Sequence, residues 1–224
     1  MRRLPAVLVL LALLSGLAAS AAELQITVLD RAGQALAEAV VMVDSSMPGQ
    51  RPVPPAEITI AQEKLRFHPA VSIVAPGTRI VFSNKDSFDH HVIAGLMGPG
   101  GVYLDPNQNI QLRLSGKSGG RVPGNEVRSF NQTGPYLLGC HLHSSMRGHL
   151  YVADSPWAQL SGADGKLLVA GVPEGPVKVR IWHADQLLDV EPTSAQLVAG
   201  VNRLTIKTQV QQRKSAAPTS AYPY

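Results

Sequence analysis

Gly139-Cys140-His141-Leu142-His143-Ser144-Ser145-Met146-Arg147-Gly148 holds the only cysteine of this 224-residue sequence. A histidine stands three residues after that cysteine, and a methionine three residues after the histidine. A thiolate, an imidazole and a thioether on one short loop form a soft donor set, and soft sets select copper. The loop lacks a second imidazole. His90, which follows the polar run Ser83-Asn84-Lys85-Asp86-Ser87-Phe88-Asp89 at the end of an expected strand, is placed to supply it.

Before the loop, the chain opens with Arg2-Arg3 and an apolar run over residues 4–17, then the small residues Ala19-Ser20-Ala21. This is the pattern of a secretory signal over residues 1–22, too short for a comfortable membrane span. The mature chain is expected to begin at Ala22 or Glu23 in the periplasm, with no membrane span. Without Arg2 and Arg3 the net charge falls from +4 to about +2, and no basic run or aromatic platform points to nucleic acid. A single cysteine cannot make an internal disulfide. In an oxidising compartment such a thiol needs another role: a metal, a partner or reactivity.

Working outward, short apolar runs with period-2 alternation recur along the chain. They fall at residues 24–29, 39–43, 57–60, 65–67, 71–74, 79–82, 90–93, 110–114, 127–130, 135–138 and 149–152. Runs at 158–160, 166–169, 177–182 and 203–207 follow. Helical periodicity is almost absent, so the expected fold is all-β and antiparallel, built as sandwiches. A proline- and glycine-rich stretch over 45–55 marks a boundary. Residues 95–101 and 115–124 read as flexible loops, and residues from 211 onward as a disordered tail.

Asn84 with His90 six residues on, then Gly134-Pro135-Tyr136 ahead of Cys140-x-x-His143-x-x-Met146, resembles the cupredoxins, the small blue copper proteins. The short ligand loop is most similar to that of the amicyanins; plastocyanins place the methionine two residues later. The resemblance implies a Greek-key β-sandwich over residues 56–153, holding one type 1 copper through His90, Cys140, His143 and Met146. Cupredoxins usually carry asparagine after the first histidine, where this chain has His91. Asn84 and His91 are the candidates for support behind the ligands. Strand alternation puts His90 and His91 on opposite faces, so only one of them binds, and His90 is favoured.

A wider resemblance includes the phrase from Gly139 to Tyr151, Asp164-Gly165 and Ile181-Trp182-His183. It is to bacterial cupredoxin-containing proteins labelled methylamine-utilisation proteins. In these, a cupredoxin accompanies a module like the carboxypeptidase regulatory (transthyretin-like) sandwich. It implies that residues 23–48 and 154–210 form that smaller sandwich, with the cupredoxin inserted into it or packed beside it.

Three functions compete. The first is a periplasmic single-electron carrier working with a redox protein partner. The second is copper tolerance, storage or delivery through the same ligands, with His68, His91, His141 and His149 available for looser metal binding. The third is a partner-binding sandwich in which the copper domain is a passenger. A buried, inert thiol is the commoner fate of a lone cysteine, and methionine is a common core filler; the ligand-like spacing argues against both here. No serine elbow, paired-histidine helix or phosphate loop occurs, and a site with four protein ligands leaves no place for substrate. An enzyme is not expected.

Overall fold

A computed structural model describes residues 21–118 and 122–212. The expected signal segment therefore lies outside the described residues, apart from Ala21 and Ala22, which open the first strand. In chain order the strands are β1 (Ala21–Leu29), β2 (Val40–Ser45), β3 (Glu57–Glu63), β4 (Arg66–His68), β5 (Val71–Val74) and β6 (Arg79–Asn84). β7 (His90–Gly98), β8 (Val102–Tyr103), β9 (Ile110–Leu114), β10 (Asn125–Arg128), β11 (Gly134–Cys140) and β12 (Arg147–Val152) follow. The last five are β13 (Trp157–Leu160), β14 (Lys166–Pro173), β15 (Gly175–Trp182), β16 (Thr193–Leu197) and β17 (Gly200–Lys207). No α-helix occurs among the described residues, and no helix there is long and apolar enough to cross a membrane.

The two ends of the chain share one sandwich. β1 lies between β14 and β17 in one sheet, and β13-β2-β15-β16 form the other. Their inner faces enclose one core, in which Leu24, Ile26 and Val28 of β1 meet Val41 and Val43 of β2 and Val177, Val179 and Ile181 of β15. Everything between β2 and β13 builds a second sandwich. It consists of β10-β6-β3-β4 facing β5-β12-β11-β7-β8, with β9 also paired to β7. Ile60, Phe67, Ile80 and Phe82 on one side pack with Val92, Leu112, Leu114, Leu138 and Leu150 on the other. The chain is thus all-β, with one sandwich inserted into a smaller one.

Val40-Val41-Met42-Val43 is apolar without alternation because β2 is covered on both faces. Val41 and Val43 point into the outer core. Val40 and Met42 join Trp182, Val71 and Ala153 in a third cluster between the two sandwiches. On β15, Trp182 alternates with Ile181 in the same way. Its indole lies against Tyr151 and His149 of β12, with ring centroids 5.5 and 5.7 Å apart. His183 is buried. Its Nε2–H donates to Ala37 O (3.2 Å), its Nδ1 accepts from the Asp185 amide (3.0 Å), and desolvation lowers its pKa.

Four sequence expectations need correction. Residues 95–98 are not a flexible loop: β7 runs on through them, paired with β11 and then with β8. The pairing is not wholly antiparallel: β1 with β17, β3 with β6 and β5 with β12 run parallel, because each partner returns to the same sheet after a long excursion of the chain. β16 went unforeseen because Thr193-Ser194-Ala195-Gln196-Leu197 is mostly polar and buries only Leu197 fully. The tail does not begin at 211: Gln212 Nε2–H donates to Ala35 O (2.8 Å) and Asp30 Oδ2 (3.3 Å). Residues 213–224 lie outside the described residues.

The interface cluster is small, so one large side chain carries much of it. Trp182→Ala is expected to destabilise the protein by about 3–5 kcal/mol, the usual range for removing a buried tryptophan. Equilibrium denaturation by urea measures this; a loss below about 1 kcal/mol would show that Trp182 does not hold the two sandwiches together.

Candidate metal centre

His90 is the first residue of β7 and Cys140 the last of β11. The two strands run antiparallel with Cys140 opposite Val92, so the start of one and the end of the other meet at one pole of the inserted sandwich. Both side chains are buried, His90 at 1 % and Cys140 at 6 % exposure. Beyond Cys140 the chain makes two successive turns, with His143 N–H donating to Cys140 O (3.3 Å) and Met146 N–H to His143 O (2.9 Å). These turns bring His143 back over Cys140 and bury Met146 in the same core cluster as Cys140.

Nδ1 of His90 lies 3.6 Å from Cys140 Sγ, and Nδ1 of His143 lies 3.5 Å from it. One donor atom from each of the three residues falls within 4.8 Å of the others. Metal–sulfur and metal–nitrogen bonds of about 2.3 and 2.0 Å spanning such separations enclose an S–metal–N angle of roughly 110°. The group is therefore already spaced to hold an ion without rearrangement. Two imidazoles and a thiolate fit copper in both oxidation states. Among the described residues this is the one cluster of three or more His, Cys or carboxylate side chains so arranged.

The sequence reading missed Asp86. Its Oδ2 lies 2.9 Å from His90 Nε2. A carboxylate can only accept, so Nε2 carries the proton and Nδ1 keeps its lone pair toward Cys140. Burial raises the Asp86 pKa, but the bond from His90 and the amides of Lys64 (2.7 Å) and Leu65 (3.3 Å) outweigh it and leave a net lowering. The carboxylate is ionised at neutral pH. The signal in the sequence, an acid four residues before the histidine on the same loop, follows no distinguishing spacing rule.

Asn84, fully buried, shapes that loop. Its side-chain amide donates to Phe88 O (2.8 Å) and Leu114 O (3.1 Å), and its Oδ1 accepts from the Asp86 amide (2.8 Å). Asn84 therefore acts on the site through Asp86 and Phe88. His91 does not support the ligands with its side chain, which sits half-buried on the other face of β7. Its carbonyl instead accepts from the His141 amide (2.8 Å), tying the two ligand-bearing segments together through backbone. Gly116 is required nearby, because a Cβ there would come within 2.4 Å of the Phe88 backbone.

His143 is half-buried and its pKa is lowered, first by desolvation and then by the neighbouring His90. A neutral imidazole is the form a metal requires. The Phe88 ring stands edge-on to both imidazoles, with centroids 5.3 Å from each. Phe88 and Leu142 are 41 % and 57 % exposed, so the His143 side of the pole has an apolar rim. His68 and His149 are not part of the cluster; His149 packs on Trp182.

No family model matches the sequence, and no curated protein matches it. Solved structures similar to the chain are amicyanins. One is a mutant in the Cu(I) state, 17 % identical, covering 44 % of this chain and 83 % of its own with a TM-score of 0.34. Another is an oxidised mutant, 19 % identical, covering 50 % and 98 % with a TM-score of 0.34. A third, amicyanin from Paracoccus versutus, is 21 % identical and covers 50 % and 97 % with a TM-score of 0.33. At these scores the reading of the site rests on its side-chain geometry, not on that likeness.

Removing the partner of a ligating imidazole commonly costs 10- to 100-fold in metal affinity. Asp86→Ala is expected to weaken metal binding by about that factor. Competition with a calibrated chelator measures it, and an unchanged affinity would mean that Asp86 does not orient His90.

Proposed function

We propose that this chain is a periplasmic type 1 copper protein that carries single electrons and performs no catalysis. The convergence of His90 Nδ1, Cys140 Sγ and His143 Nδ1 at one buried pole carries the reading. Bound copper supplies a one-electron couple whose two states accept nearly the same ligand geometry when two imidazoles and a thiolate hold it.

The chain contributes rigidity. Asp86 fixes the His90 ring, Asn84 fixes the Asp86 loop, and the turn bonds behind Cys140 fix His143. A ligand set that need not move when the charge changes favours rapid electron exchange. Met146, buried in the same core cluster as Cys140, would add a weak thioether donor. With four protein donors no position stays open for substrate, which is why a carrier fits better than an enzyme. The half-exposed His143, rimmed by Phe88 and Leu142, is the natural exit toward a redox protein partner. The N-terminal segment supports export to the periplasm, and nothing in the charge pattern suits nucleic acid.

Copper-loaded, oxidised protein should show an intense thiolate-to-copper band in the visible. One electron per chain should bleach it reversibly, and Cys140→Ser should abolish it. Oxidised protein that binds copper yet stays colourless would defeat this reading.

A further inference from the structure

Each of the two best-buried ligands is followed by another histidine: His91 after His90, and His141 after Cys140. Successive strand residues point to opposite faces, so this second pair leaves the sheet away from the buried cluster. The bond from His141 N–H to His91 O holds the two residues level. Their rings stack, with centroids 5.5 Å apart and planes inclined by 19°, whereas the two imidazoles that flank Cys140 stand 5.1 Å apart and edge to face at 65°. A coordinating nitrogen lies about 2.0 Å from a bound ion, which puts two ring centres sharing that ion roughly 5 Å apart. The stacked pair has that separation, and each ring has to turn about its Cβ–Cγ bond to aim a nitrogen at a common ion. His141 is exposed and His91 half-buried, and among the described residues no hydrogen bond or ion pair engages either ring. Arg113 stands opposite His91 in the β7–β9 ladder, but it is exposed and its long stem lets the guanidinium turn to water.

We propose that His91 and His141 form a second metal site, on the outer face of the sheet, for a borderline divalent transition ion with water completing its shell. Two imidazoles without a thiolate suit Cu(II), Ni(II) or Zn(II) and are a poor match for Cu(I). The two sites differ in softness and access while sharing one pair of strand ends. This pair does not depend on the buried cluster being a type 1 centre, because it uses none of the same side chains.

Cu(II) titration of the full chain, followed by equilibrium dialysis and electron paramagnetic resonance, tests the proposal. A second equivalent with a tetragonal, nitrogen-coupled spectrum is expected. His141→Ala and the milder His91→Gln should each lose that equivalent and keep the first. In Cys140→Ser the equivalent that His141→Ala removes should still be present, which separates this site from any failure of the thiolate centre. Binding of a single equivalent by the unaltered chain, or a second one that survives both substitutions, overturns the proposal.

Discussion

The antiparallel register that sets Cys140 opposite Val92 is the constraint on which the rest depends. Side chains alternate across a strand, so a slip of one residue would turn every inward group outward. The core fixes the register. Val92 and Ala94 of β7 and Tyr136, Leu138 and Cys140 of β11 all face the same packed interior. With them in place, His90 must point inward beside Cys140, and His91 must point out. The hydrophobic pattern of two strands thereby chooses which of two adjacent histidines joins the thiol.

Register brings the donors near, but it does not orient them. Orientation comes from a short chain of polar contacts in which Asn84 shapes the loop, the loop presents Asp86, and Asp86 sets the tautomer of His90. Asn84 and His90 are buried, Asp86 is half-buried, and all three are satisfied, the condition under which a polar network stiffens a fold instead of weakening it. The His143 edge is partly open and carries Phe88 and Leu142. The pole therefore combines a fixed interior with an accessible apolar rim on the His143 side.

Much of this was legible in the sequence, for identifiable reasons. Cys140, His143 and Met146 announce themselves because one loop carries all three, so spacing alone suggests joint action. The choice of His90 over His91 follows from alternation. The unbroken apolar run at Val40 to Val43 was visible, yet its cause was not: the run is buried against two different cores, and nothing local says so. Asp86 was illegible because its role depends on loop shape set by side-chain bonds from Asn84. The glycine-rich stretch before Pro99 read as loose, although Gly95 and Leu96 pair with Leu137 and Tyr136, far along the chain, and Met97 and Gly98 pair with Tyr103 and Val102. The insertion was implied by the wider resemblance, and the first two strands do find their partners after residue 156.

X-ray absorption at the copper edge of the singly loaded protein bears most directly on the central claim that His90, Cys140 and His143 share one ion. The account predicts one short copper–sulfur distance with two imidazole nitrogens in the inner shell. An inner shell of nitrogen and oxygen alone, with no sulfur, would contradict it.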